Sequence, residues 1–281
     1  MTASVTIAMP VRNGAEYVEE AIRSLLAQTE GDFILHISDN CSADSTPEIC
    51  ARLAEEDRRI RYERQEHNLG AAGNFNYLLQ EAHSPFFMWA AHDDVWEPEF
   101  LEETLSLLAG SSDAIAAMTA VKLIGASGSS ETVALPTGLS DPDPVVRARL
   151  VNGGGWYAVY GVLRRNGLPA GIKFEDVSGP DMAFVFGLAL YGRILTSRRV
   201  LSTRRVMGYD EAPDPNGRLV WGKARGPDGH LYSRRPHAMC WFMLRYTWGA
   251  PLSLAEKAMV VSRQVVEIRH HHPRSSRDLS E

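Results

Sequence analysis

The sequence predicts an α/β protein, a mostly parallel sheet flanked by helices, followed by an irregular C-terminal part. Two observations carry that prediction. Through residue 123, short apolar runs alternate with segments whose apolar residues recur at helical spacing, the pattern of parallel strands joined by helical crossovers. Beyond residue 124 the periodicity loosens, and Gly, Ser, Pro and Thr collect between the apolar segments.

Val5–Met9 reads as a buried strand, stopped by Pro10 and the Asn13-Gly14 turn signal. Ala15–Gln28 places Val18, Ile22, Leu25 and Leu26 on one helix face, with acids near its start. Phe33–Ser38 is a second strand. Ser45 or Thr46 with Pro47 opens a second helix carrying Ile49 and Leu53, the proline fitting the first turn. Ile60–Glu63 is a short third strand, Gly73–Ala82 a helix and Pro85–Ala90 a fourth strand. Pro98–Leu108 is a helix with Phe100, Leu101, Leu105 and Leu108 inward, and Ile115–Leu123 is a fifth strand. Further on, Gly125–Pro144 is a surface excursion, Val145–Val151 a short helix and Trp156–Leu163 a strand. Pro180–Tyr191 is a helix, followed by the strand Arg193–Thr196. Tyr209–Arg235 has no clear period and reads as a mobile loop, and His237–Tyr246 and Leu254–His270 read as C-terminal helices. His270-His271-His272 reads as a solvated tail, and the Met and aromatic run from Met239 to Trp248 as core, as subunit interface or as a contact for a lipid acceptor.

Composition narrows the function classes. With 281 residues, 44% hydrophobic and 23% charged, the chain can bury a sizeable core, which excludes disordered and disulfide-stapled classes. Its 29 Lys and Arg against 35 Asp and Glu argue against a general nucleic-acid binder. Cys41, Cys50 and Cys240 form no CxxC pair and suit reduced, packed thiols. The N-terminus shows no basic region followed by an apolar run, and no apolar stretch approaches the roughly 20 residues that span a bilayer. The expectation is a soluble, cytoplasmic protein.

In such sheets ligands gather at the carboxyl ends of the strands. Asp39 follows the second strand there and His92-Asp93-Asp94 the fourth, so two acidic groups share one edge. A dinucleotide site would carry GxGxxG after the first strand and a P-loop GxxxxGK[ST]; the chain has MPVRNGAEY instead. Adjacent carboxylates repel, so Asp93-Asp94 either caps the turn before Trp96 or meets a hard divalent ion together with substrate phosphates. In Asp39-Asn40-Cys41-Ser42-Ala43-Asp44-Ser45-Thr46, one of Asp44, Ser45 and Thr46 caps the following helix. Asp39 stays at the strand end, where a carboxylate could accept the imide N–H of a pyrimidine base.

At this point the chain resembles glycosyltransferase family 2, whose members have the GT-A fold. The matching residues are Pro10-Val11-Arg12-Asn13-Gly14, the acidic turn Ser38 to Thr46, Asn68-Leu69-Gly70 and Ala91-His92-Asp93-Asp94. They cover roughly the first 120 residues in the family's order. The resemblance implies a nucleotide pocket lined by Pro10, Val11 and Arg12, with Asn68 in the matching Asn-x-Gly, and base contact by Asp39. It implies ribose and Mg²⁺ or Mn²⁺ at Asp93 and Asp94, with Asp94 the favoured metal ligand. Ala91 replaces the first acid of the common DADD form, and Phe75 replaces a frequent Arg before Asn76, leaving fewer metal carboxylates. The family's catalytic base sits in a Glu-Asp pair at a helix start. Two places compete for it: Glu175-Asp176, interrupted by Gly179-Pro180, and Asp181, which begins a helix and is preferred. Gly153-Gly154-Gly155-Trp156-Tyr157 could let Trp156 stack on an acceptor, with Glu175 and Asp176 nearby, or could be a turn before a core strand.

These implications add up to an inverting, metal-dependent transferase. It would move one sugar from a UDP, dTDP or GDP sugar to a hydroxyl or amine on a small-molecule, glycan or lipid-linked acceptor. Residues 1–123 would be its donor half, 124–236 its acceptor half with base and lid, and 237–281 C-terminal helices that could pair into a homodimer. The rival readings are a nucleotide-sugar-binding protein without catalysis and a sugar-phosphate nucleotidyltransferase, the latter disfavoured by the missing Gly-rich loop.

Overall fold

A computed structural model describes residues 3–125, 128–151, 153–177, 179–206, 211–213, 219–221 and 236–271. Its first half alternates strictly: β1 (Val5–Val11), α1 (Val18–Leu26), β2 (Phe33–Asp39), α2 (Thr46–Glu56), β3 (Ile60–Arg64), α3 (Gly70–Glu81) and β4 (Phe86–Trp89). Every residue of β1 is buried, as its unbroken apolar run requires of a strand covered on both faces. Helix α1 turns Val18, Ala21, Ile22 and Leu25 inward and leaves Arg23 outside in ion pairs with Glu19 and Glu56.

The second half threads back into the same sheet. It runs β5 (Val95–Trp96), α4 (Phe100–Ala109), β6 (Ala114–Gly125), β7 (Ser130–Val133), α5 (Pro144–Val151), β8 (Val162–Arg164), α6 (Pro180–Tyr191) and β9 (Arg193–Val206). Among the described residues, one nine-stranded sheet has the order β3-β2-β1-β4-β8-β6-β9-β5, with β7 beside β6. Strands β3, β2, β1 and β4 are mutually parallel, and β9 is parallel to β6. The remaining pairings are antiparallel: β8 against β4 and β6, β7 against β6, and β5 against β9. The parallel part is thus concentrated in the N-terminal strands. Strand order reverses at β1, which lies between β2 and β4, and this opens a crevice at their carboxyl ends.

Several elements differ from the sequence expectation. The expected strand Trp156–Leu163 is a 3₁₀ segment, Gly155–Tyr160, followed by the short β8. A Cβ on Gly155 would lie 2.8 Å from the Leu150 carbonyl oxygen, and Gly154 has φ +102°, so this glycine run winds tightly against α5 instead of extending. The expected four-residue strand at Arg193 extends fourteen residues, to Val206. Within Gly125–Pro144 lies β7, and Thr137–Ser140 is a 3₁₀ turn. Of the expected loop Tyr209–Arg235, Glu211–Pro213 and Leu219–Trp221 pair antiparallel, and the rest lies outside the described residues. Helices α7 (Pro236–Gly249) and α8 (Leu254–His271) close the chain; α8 includes His270 and His271, while His272 lies outside the described residues.

An aromatic core lies under the crevice. Phe75 stacks on Phe174 at 4.4 Å, and Trp89 meets Phe87, Phe174 and Phe184 edge-on at 4.8–4.9 Å. These rings lock β4 to α6 and to the chain before it. Asn76 fastens the same segment, donating to the Phe174 carbonyl and accepting from the Phe174 N–H, both at 2.8 Å.

Candidate active site

The loops after β1 and β2 are sewn together by the polar residues of their motifs. Asn40 N–H donates to the Val11 carbonyl at 2.8 Å and Asn13 N–H to Ser42 Oγ at 2.9 Å. Gly14 N–H donates to Thr46 Oγ1 at 2.8 Å and Ala15 N–H to Asp44 Oδ2 at 3.0 Å, while Asn13 Oδ1 accepts from Ala43 N–H at 2.8 Å. Asn13 takes φ +52° and Cys41 φ +59°, left-handed conformations that such cross-bracing holds in place. Asp44 accepts the N–H and hydroxyl of Thr46 two residues on, so it serves the turn and the neighbouring loop together. Gly14 is required by space: a Cβ there would lie 2.4 Å from His92 Cδ2 and 2.8 Å from Val11 Cγ2. The turn after β1 therefore rests directly on the residue before Asp93-Asp94. Pro10 and Val11 are buried beside it and Arg12 is exposed.

Asp39 is fully buried at the end of β2. Its Oδ1 accepts Ser42 N–H at 2.9 Å, its Oδ2 accepts the Tyr62 hydroxyl at 3.1 Å, and Arg64 Nε stands 3.8 Å away. The phenol of Tyr62 is raised by burial and by the Asp39 charge. Asn40 bridges to the start of α3, accepting from Leu69 N–H and donating to the Gly70 carbonyl. Asn68 is exposed and accepts Gly70 N–H at 2.9 Å.

Across the crevice, β5 pairs with β9 in the register Val95↔Thr203, which carries Arg204 and Arg205 opposite Asp94 and Asp93. Asp94 is buried; its Oδ1 accepts Arg205 N–H at 3.2 Å and its Oδ2 lies 3.7 Å from Arg204 Nε. Burial pushes the Asp94 carboxyl pKa up, the Arg204 charge opposes that, and Asp93 adds to it. Arg205 donates to the Asp93 carbonyl at 2.6 Å and to Glu20 at 2.7 Å, its guanidinium over the Tyr17 ring. No hydrogen bond or ion pair among the described residues engages the Asp93 carboxylate.

Arg204 is the hub. It donates to the Tyr157 carbonyl at 2.9 Å and lies 4.3 Å from the Tyr160 ring centroid and 5.3 Å from that of Tyr157. Its charge also pulls down the pKa of Asp181, which burial otherwise raises. Asp181 sits in the first turn of α6, after Gly179 at φ +74° and Pro180, and its Oδ1 accepts Met182 N–H at 2.9 Å. The Tyr160 phenol, raised by burial, feels Arg204, Asp94, Asp181 and Asp93 together. Asp94 thus pairs with Arg204 directly, and Asp181, 87 positions further along the sequence, feels the same charge.

The three weaker candidates do not behave alike. Trp156 is half-buried and stacks on Tyr157 at 3.9 Å. Glu175 is buried, paired with Arg245 of α7, accepting from Tyr246 at 3.3 Å, with Lys173 Nζ 3.8 Å away. Asp176 is exposed in non-helical chain three residues before Gly179. Among the described residues, no three His, Cys, Asp or Glu side chains gather as a metal cage. A hard divalent ion needs only one or two carboxylates when substrate phosphates complete its shell, and the unengaged Asp93 beside Asp94 fits that minimal donor set.

Residues 6–135 match the model of Glycosyl transferase family 2. That stretch, 130 of the 281 residues, is similar to glycosyltransferase family 2. An uncharacterized glycosyltransferase of Rickettsia bellii is 36% identical over 104 residues, 37% of this chain and 15% of that protein. Across the most similar curated relatives the aligned stretch is 15–41% of their length, so the chain matches less than half of each. S. aureus TarS in complex with UDP superposes over 97% of this chain and 73% of its own, with TM-score 0.69 and 17% identity. A mannosyltransferase, PcManGT of Pyrobaculum calidifontis, in complex with GDP-Man and Mn²⁺, superposes over 95% of this chain and 81% of its own at TM-score 0.53 and 16% identity. The shared fold is the GT-A architecture, a curled mixed sheet flanked by helices.

The matched stretch contains Asp39, Asp93 and Asp94 but ends before Glu175, Asp181, Arg204 and Arg245. Sequence reasoning missed Arg204, Arg205, Tyr160 and Arg245. The one signal available for the first two was an adjacent arginine pair in a segment with strand-like alternation, STRRV. Nothing in the chain order announces that this pair lies opposite Asp93-Asp94.

Proposed function

We propose that the chain is an inverting glycosyltransferase that moves one sugar from a nucleoside-diphosphate sugar to an acceptor hydroxyl or amine. The observation that carries this reading is the buried Asp94–Arg204 pair beside Asp93, with Asp181 at the start of α6 feeling the same arginine charge. In this proposal residues 1–123 form the donor half. Pro10, Val11 and Arg12 line the nucleotide pocket, the buried Asp39 lies at its floor where the base enters, and Asn68 stands on the far side. Residues 124–236 form the acceptor half, with Trp156, Glu175 and Asp176 on its approach, and residues 237–281 supply the C-terminal helices.

Asp93, with Asp94 behind it, would hold Mg²⁺ or Mn²⁺ against the diphosphate. The ion, when bound, neutralises charge on the leaving group. The chain's own residues do the rest. Arg204 anchors Asp94, and its charge favours the ionised form of Asp181 against burial, which raises that carboxyl's pKa. The acceptor oxygen or nitrogen forms a bond to the anomeric carbon while the bond from that carbon to the diphosphate oxygen breaks. The electron pair leaves with the diphosphate, and the acceptor proton passes to the Asp181 carboxylate. A positioned base of this kind contributes about 10²–10⁴-fold. The solved neighbours that hold UDP, UDP-GlcNAc and GDP-Man support a nucleotide-sugar donor, and the Mn²⁺ beside GDP-Man supports a divalent ion.

A second reading, donor binding without transfer, is favoured by the two arginine contacts that already occupy Asp94. Release of nucleoside diphosphate from UDP, dTDP and GDP sugars in the presence of Mn²⁺ separates the two. Release that is lost in Asp181→Asn while donor binding persists supports the transferase. Donor binding with no release under any acceptor or metal condition leaves only the binding protein.

A further inference from the structure

Helix α7 is apolar on both sides. Its inward residues Met243, Tyr246 and Thr247 are buried against α6, where Tyr246 closes over Gly187. Its outward line consists of Trp241, Leu244 and Trp248, at 57%, 44% and 71% exposure. Spacings of three and four residues put these on one stripe. Helix α8 repeats the arrangement: Val260 is buried, while Leu254 at 78% and Met259 are exposed beside Ala255 and Ala258. A helix with apolar groups all round needs an apolar partner on its second side.

The charges at this face say which partner. Each exposed tryptophan carries a cation: Arg245 lies 5.7 Å from the Trp241 ring, and Lys257 lies 5.8 Å from the Trp248 ring while donating to the Trp248 carbonyl at 2.8 Å. No acid occurs in α7. By sequence, α7 and α8 together hold four Lys and Arg against two Asp and Glu, whereas residues 1–221 hold nineteen against thirty. Tryptophan rings flanked by lysine and arginine suit the depth of lipid headgroups. A negative surface attracts the C-terminal segment and repels the remainder, which sets an orientation. A second copy docked through this face would bring two net-positive segments together. No helix among the described residues is long and apolar enough to cross a membrane, so the helices would lie in the plane of the interface.

We propose that α7 and α8 dock the protein on the surface of an anionic lipid bilayer. The inference is independent of the transfer reaction, although the two sites are joined: Arg245 of α7 also holds the buried Glu175 on the acceptor side.

The test uses the full chain with phosphatidylcholine vesicles, either pure or with about one-third phosphatidylglycerol. Flotation should carry the protein up with the phosphatidylglycerol vesicles, less so at high ionic strength, and leave it behind with pure phosphatidylcholine. The double variant Trp241→Ser, Trp248→Ser should bind about tenfold more weakly or worse, and Leu254→Glu should weaken binding in the same direction. All three positions are exposed, and unchanged far-ultraviolet circular dichroism confirms that the variants fold. Three results would overturn the proposal: no flotation with phosphatidylglycerol, equal flotation of the double variant, or a concentration-dependent dimer that the double variant abolishes.

Discussion

Replacing Arg204 with methionine removes the charge that holds the centre of the site together. Arg204 Nε lies 3.7 Å from Asp94 Oδ2, and both side chains are buried. At that distance and an effective dielectric near 20 the attraction is roughly 4 kcal/mol. Desolvation cancels part of it in the native protein, but a single substitution leaves Asp94 buried and unpaired, so the expected cost is about 3–5 kcal/mol. Arg205 N–H remains on Asp94 Oδ1, and a carboxyl already raised by burial can take up a proton. Both effects place the loss near the lower end, about 3 kcal/mol. Urea unfolding at neutral pH of the wild type, Arg204→Met, Asp94→Asn and the double variant measures it. Because the partners are lost together, the double variant should be less destabilised than the sum of the singles by about 1–3 kcal/mol. Additivity within about 0.5 kcal/mol would refute the claim that the two residues form one buried unit.

Three other predictions concern the site. Asp181→Asn should lower sugar transfer by about 10²–10⁴-fold with nucleotide affinity unchanged; turnover at the wild-type rate would remove Asp181 from the mechanism. Burial raises the Asp181 pKa and the base must be ionised, so transfer should increase with pH through a midpoint above the usual carboxylate range. A single acid limb near pH ~4 in the rate profile would contradict that direction. Gly14→Ala drives a methyl into His92 and Val11, so it should cost about 1–3 kcal/mol and weaken nucleotide binding. His92→Ala in the same chain should restore most of the stability, and failure to do so would mean that the contact is not the cause.

The N-terminal half is legible because the inner strands β1, β2 and β4 are buried over most of their length and each helix buries one face. VTIAM and FILHIS read as interior strands, and α1 shows its buried stripe in Val18, Ile22 and Leu25. The acidic groups at the strand ends follow from that topology, since Asp39 and Asp93-Asp94 sit where β2 and β4 stop. What stayed hidden depends on long-range pairing. Strand β9 is disguised by five arginines, two of which, Arg198 and Arg199, face water while Arg204 turns inward to Asp94. β5 is two residues long and has meaning only as the partner of β9. Trp156–Tyr160 has strand composition, yet the crowding of Gly155 against Leu150 winds it into a 3₁₀ turn. The aromatic residues of α7 could be read as core or as interface; the fold divides them, burying Met243 and Tyr246 and exposing Trp241 and Trp248.

The central claim is that Asp39 and Asp93-Asp94 form a nucleotide-diphosphate pocket completed by a divalent ion. Calorimetric titration of the full chain with UDP, dTDP and GDP, each with and without Mn²⁺, tests it most directly. One of the three should bind, more tightly with Mn²⁺, and Asp93→Asn should erase the metal-dependent gain while leaving weak binding through the base. Absence of binding by all three nucleotides, with and without Mn²⁺, would contradict the account.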